Sequence, residues 1–133
     1  EGFELFNPHM ASAVLAVLGG PPIEILLALA TGYASFAEEH PGHFAVMFLP
    51  NLVRLDDPAY RAASDAAFDA LLMVIEGCQA AGWRADEPSR SLAAAAWSLA
   101  HGLTVLRSQG SLARHHPDVS PAGIEAMGRA LLG

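Results

Sequence analysis

The sequence predicts an all-α fold, a helical bundle, on three observations. Prolines and glycines cut its 133 residues into blocks of helical length. Inside the blocks, apolar residues recur at spacings of three and four. No block shows the sustained alternation of a half-buried strand. The length suits one domain over residues 1–133 and is too short for two.

A first helical segment runs from about Phe3 to Leu18 and ends at Gly19-Gly20, with Pro8 as either a kink or the true start. The second opens on Pro21-Pro22, and proline suits a first helical turn. Ile25, Leu29, Tyr33, Phe36 and His40 then share one face, and Pro41 stops the helix because a residue before proline avoids helical angles. The stretch HFAVMFL, closed by Pro50-Asn51, is too short to be stable without its neighbours. After the polar loop NLVRLDDP, Asp57-Pro58 reads as an N-cap with proline at the first position. The helix it opens is strongly amphipathic: Tyr60, Ala67, Phe68, Leu71, Leu72 and Ile75 face one way, Arg61, Asp65, Asp69 and Glu76 the other. Gly82 ends it, and Asp86-Glu87-Pro88 is expected to cap the next, which reaches about Ser108. Beyond GSLARHHPDVSP, Ser120-Pro121 begins a last helix carrying Ile124, Met127, Gly128 and Leu131.

Composition limits what such a bundle does. Hydrophobic residues make up 53% and the mean hydropathy is +0.33. No run approaches the roughly 18 apolar residues of a membrane span. Apolar surplus without a membrane signal points to a second copy of the chain, a homodimer. The net charge of −7, with seven arginines and no lysine, offers no basic patch for nucleic acid. The lone Cys78 excludes an internal disulfide and suits a reducing, cytoplasmic setting; within LLMVIEGC it reads as a small buried hydrophobe. The chain opens at Glu1 without methionine or basic leader, and is expected to be part of something longer.

The stretch WSLAHGL, Trp97 to Leu103, carries the functional question. Around that helix, Ala93, Ala94, His101 and Thr104 fall within about 60° of Trp97, while Ala95, Leu99, Gly102 and Leu106 fall opposite. Both sides are apolar or small, so the helix is expected to be hidden on both flanks. Its own core takes Trp97 and His101. A twin subunit takes Ala95, Leu99, Gly102 and Leu106, with Gly102 permitting close approach. The last helix adds Ile124, Met127 and Leu131, and two helices from each copy make a four-helix interface.

The inward side is soft and aromatic: Phe36, Phe44, Met47, Phe48, Phe68, Leu72 and Trp97. Its few polar groups are Tyr33, His40, His101 and Thr104. This composition fits either filled core or a small-molecule cavity with polar anchors. His40 is placed to cap carbonyls at a helix end or to touch a ligand. His101, mid-helix, is a satisfied core histidine or a pocket donor. The remaining His43, His115 and His116 read as loop or surface residues.

No Glu-x-x-His pair, Gly-x-Ser-x-Gly elbow, Walker loop or dinucleotide fingerprint occurs. EEHPGH, Glu38 to His43, lacks a second cluster to complete a metal site. We therefore expect no metal, no cofactor and no enzyme.

FAEEHPGHFAVMF, YRAASDAAFDALLMVIEGCQAAG and AAWSLAHGL, in that order, resemble the C-terminal regulatory domain of TetR-family transcriptional regulators. The similarity covers about Pro21 to Leu106 and is nearest the type with a Trp-His-Gly signature, here Trp97, His101 and Gly102. The resemblance implies a ligand-binding and dimerisation domain that takes a small, apolar effector. DNA would be bound only through an N-terminal helix-turn-helix domain, absent here, whose two copies are respaced through the segment Phe3 to Leu18. The expected effector site is Phe36, His40, Phe44, Met47, Phe48, Phe68, Leu72, Trp97 and His101. The alternatives are a structural dimerisation domain without a natural ligand and, third, an enzyme using His101.

Overall fold

The structure is a computed structural model, and it describes residues 2–47 and 56–132. Among the described residues, six α-helices follow in order: α1 (Gly2–Leu15), α2 (Pro22–Glu39), α3 (Pro41–Met47), α4 (Pro58–Ala80), α5 (Ser89–Ser108) and α6 (Pro121–Leu132), with one 3-10 turn at Leu112–Arg114. No strand occurs among the described residues. None of the described helices is long and apolar enough to cross a membrane.

Local chemistry explains most boundaries. His40, ahead of Pro41, leaves the helical region at φ −130° while its N–H still bonds Phe36 O at 2.8 Å. The Asp57 side chain accepts from the Ala59 N–H at 3.0 Å, with Pro58 first in α4. Gly82 takes φ +97° just past α4, a geometry that costs any other residue strain. The Ser120 hydroxyl accepts from the Gly123 N–H at 3.2 Å and caps α6.

Three sequence expectations need correction. Pro8 does not start α1, which already runs from Gly2 and carries the proline inside. His43 lies within α3 and is half-buried. Asp86 and Glu87 do not cap α5; Pro88 holds that position without a side-chain bond. The loop is tied instead from α4, where Gln79 Nε2 donates to Arg84 O at 3.1 Å and Glu87 O at 2.7 Å. A side-chain amide reaching eight residues along the chain leaves no local sequence signal.

Helix α2 is the centre, with all five other helices packed on it. Its buried residues Leu26, Leu27, Tyr33, Ala34, Phe36 and Ala37 wrap most of its circumference, more than the single stripe expected. They feed two apolar clusters. One joins Phe6, Tyr33, Phe36, Ala37, Phe44 and Met47. The other joins Leu26, Ile75, Cys78 and Ala93, and Cys78 is 1% exposed there.

Helix α6 lies unusually close to α2. A Cβ on Gly128 would stand 2.9 Å from Leu27 Cδ2. Arg129 secures the pair, donating to both carboxylate oxygens of Glu24 at 2.7 Å and to Glu125. Trp83 Nε1 donates to Leu132 O at 2.9 Å and holds the end of α6 to the α4–α5 turn.

Candidate functional site

The site is built from three helices meeting beside Tyr33. Tyr33 comes from α2, Phe44 from α3, and Trp97 and His101 from successive turns of α5. Tyr33 is 4% exposed, so its hydroxyl must find partners within the protein. It lies 2.7 Å from His101 Nδ1, and the Trp97 indole hydrogen-bonds the same hydroxyl. An indole only donates, so the phenol accepts from Trp97, and the same oxygen shares a second hydrogen bond with His101 Nδ1.

Burial pushes both rings toward their neutral forms. It raises the Tyr33 phenol well above the usual range, opposed in part by the Trp97 bond. It lowers His101 below its ordinary value of 6.5. The result is an uncharged polar knot set among aromatic rings.

Those rings are closely ordered. Phe44 stacks on His101 at 5.5 Å with an interplanar angle of 27°. Tyr33 meets Phe44 edge to face at 5.5 Å. Phe6 of α1 sets its edge against both Tyr33, at 5.7 Å, and Phe36, at 5.2 Å. On the α4 side, Phe68 meets Trp97 at 6.4 Å, and Arg90 lies over the Phe68 ring at 5.6 Å.

The expected effector residues therefore fall into linked groups. Phe36, Phe44 and Met47 share the first cluster with Tyr33, and His101 joins them through Phe44 and the phenol. Phe68 and Leu72 pack against the second cluster, and Trp97 joins the two groups. Trp97 does not point fully inward, being 40% exposed. On the same face of α5, Ala93 and Thr104 lie deeper, at 0% and 3%. His40 caps α2 and tilts over Phe36 at 5.1 Å. Phe48 lies outside the described residues.

The two residues missing from the expected site are Tyr33 and Phe6. Tyr33 stood out as a polar group on the inward face, yet nothing in its spacing showed that it bonds His101 across 68 positions. Phe6 was signalled by Phe6, Met10 and Ala13 at helical spacing, a pattern obscured by Pro8.

A groove of about 410 Å³ lies elsewhere, between α1, α2 and α6, lined by residues such as Val17, Leu27, Thr31 and Pro121. None of the expected effector residues lines it. Among the described residues, no three His, Cys, Asp or Glu side chains gather as metal ligands.

The outer flank of α5 stays open in the single chain. Ala95 and Leu106 are exposed, Leu99 and Gly102 half-buried, and a Cβ on Gly102 would meet nothing within 4 Å. On α6, Leu131 is 59% exposed and Met127 half-buried. Ile124 departs from its expected interface role. It is 2% exposed, because the approach of α6 to α2 at Gly128 turns that side chain into its own subunit.

The sequence matches the family model described as tetracyclin repressor-like, C-terminal domain, over residues 26–131. No curated protein matches the chain. Among solved structures it is similar to a protein with unknown function from Rhodococcus sp. RHA1, at 23% identity and a TM-score of 0.84. That match covers 98% of this chain and 67% of the other, and shows a common fold. The helical bundle around α2 is thus one instance of a known architecture, and the chain belongs to the tetracyclin repressor-like C-terminal domains.

Proposed function

We propose that this chain is the effector-sensing and dimerisation domain of a TetR-like transcriptional repressor working in the cytoplasm. A small apolar effector binds beside Tyr33, Phe44, Phe68, Trp97 and His101. Two copies pair through the outer flank of α5, from Ala95 to Leu106, together with Met127 and Leu131. Occupancy of the site changes operator binding by an N-terminal helix-turn-helix domain that lies outside this chain. The domain itself performs no catalysis.

One observation carries the reading: a Tyr33–His101–Trp97 hydrogen-bonded knot, biased by burial toward its neutral form and bordered by Phe44, Phe36 and Phe68. Packing alone does not call for two polar rings on one buried hydroxyl, since an aliphatic core would avoid their desolvation. A mainly apolar surface with a few fixed polar groups is the usual make-up of a small-molecule site.

The test is a thermal-shift screen of small apolar compounds on the purified chain. A saturable rise in melting temperature is expected, amounting to about 2.7 kcal/mol of stabilisation at a hundredfold excess over Kd. His101→Ala should abolish it. If no compound in a broad screen raises the melting temperature, the effector reading fails and a purely structural dimerisation domain remains.

A further inference from the structure

The interior of α5 holds a hydroxyl with an unmet bond. Thr104 is 3% exposed, and its Oγ1 has no hydrogen-bond partner. A buried hydroxyl in that state costs the fold stability. A helix ordinarily offers its own relief, because a threonine can bond the carbonyl one turn back. Other hydroxyls in this chain take that relief. Thr31 bonds Leu27 O and Ala28 O, Ser98 bonds Ala94 O, and Ser108 bonds Val105 O. Thr104, more buried than any of these, does not take it.

Its position connects it to the site. Thr104 follows His101 by three residues and Trp97 by seven, so all three lie on one face of α5. Its neighbours Ala100 and Val105 pack on the cluster that contains Tyr33, Phe36 and Phe44.

We infer that Thr104 Oγ1 is a ligand-recognition group, reserved for an oxygen of the effector. The ligand class narrows accordingly, from any apolar molecule to an aromatic one carrying a single hydroxyl or carbonyl oxygen. The rings of Phe44, Tyr33 and His101 take the apolar body, and Thr104 takes the oxygen. This rests on the effector site proposed above.

The test uses an isosteric pair of probes, β-naphthol and β-methylnaphthalene, which differ by hydroxyl against methyl. Binding of each is measured by calorimetry on the wild-type chain, on Thr104→Val and on Thr104→Ser. Thr104→Val keeps the shape and removes the hydroxyl. It should raise the melting temperature of the unliganded chain, weaken β-naphthol binding about three- to tenfold, and leave β-methylnaphthalene unchanged. Thr104→Ser keeps a hydroxyl and should retain the preference for β-naphthol.

Equal weakening of both probes, or none, in Thr104→Val overturns the inference while leaving the effector site intact. A lower melting temperature for that variant overturns it as well, since the hydroxyl would then already be satisfied in the free chain. If neither probe binds the wild type while the wider screen finds other ligands, the inferred ligand class is overturned; if the wider screen is also blank, the effector site itself fails.

Discussion

Replacing Gly102 by alanine separates the two faces of α5 by the sign of the effect. Gly102 sits inside a 20-residue helix, and a Cβ there would meet no atom within 4 Å. For the isolated subunit the substitution therefore gains helix propensity at no steric cost, about 1 kcal/mol. In a domain of this size that raises the melting temperature by about 3–5 °C. The dimer responds in the opposite direction. A helix from a twin subunit seated on the flank would meet the added methyl, and overpacking costs about 1–3 kcal/mol per site. Two-fold symmetry inserts the methyl twice, giving about 2–6 kcal/mol against association, or at least a thirtyfold weaker Kd. Sedimentation equilibrium reads the Kd directly. Melting curves should cross, with the variant more stable when dilute and less stable when concentrated. An unchanged Kd, with a higher melting temperature at every concentration, refutes the assignment of this flank to the interface. Gly128→Ala is the control. Its Cβ would press on Leu27, itself 3% exposed, so it should destabilise the chain at all concentrations.

Two further outcomes follow, one from the burial of His101 and one from a hydrogen bond of Trp83. Burial holds His101 below 6.5, so the unfolded chain takes up that proton at higher pH than the folded one. Its stabilising share is complete above about pH 6.5 and is lost as the pH falls through that value toward the lower folded one. The urea midpoint should drop between pH 7 and 5.5 more steeply for the wild type than for His101→Gln; parallel slopes reject the role. Trp83→Phe deletes the bond to Leu132 O and should cost about 0.5–1.5 kcal/mol. Amide exchange should quicken in the last turn of α6, and an unchanged rate there would show that Trp83 does not hold it.

Much of the bundle was legible in the sequence because its boundaries are set by local chemistry. Pro22, Pro41, Asp57-Pro58, Gly82 and Ser120-Pro121 act through their own dihedrals and nearest N–H groups, within four residues along the chain. The inward face of α4 was legible for the same reason, since Ile75 and its neighbours repeat at helical spacing. What stayed hidden depends on contacts between distant residues. A period locates a stripe but not how deeply its neighbours cover each turn of it, and so Trp97 came out too far inward and Ile124 too far outward. Tyr33 and Phe6 were visible as residue types; their joint role depends on α1 and α5 meeting α2 at the same level.

That shared level bears on how a bound effector would reach the rest of a repressor. Gly32 and Tyr33 are consecutive on α2, yet they serve different neighbours. A Cβ on Gly32 would stand 3.0 Å from Ala13 Cβ and 3.4 Å from Met10 sulfur, so α1 is pressed against the α2 backbone there. Tyr33, the next residue, carries the bond to His101. Phe6 completes the link, because this α1 residue rests its ring on Tyr33 and Phe36 together. A close-packed interior has little slack. A ligand that displaces the Tyr33 ring must therefore either break its edge contact with Phe6 or carry α1 along. Under the proposed function no long relay is needed: the sensing residue and the helix to be moved are already in contact. A coupling of about 1–3 kcal/mol, sufficient to change operator affinity about 5- to 150-fold, is within the range of one such repacking.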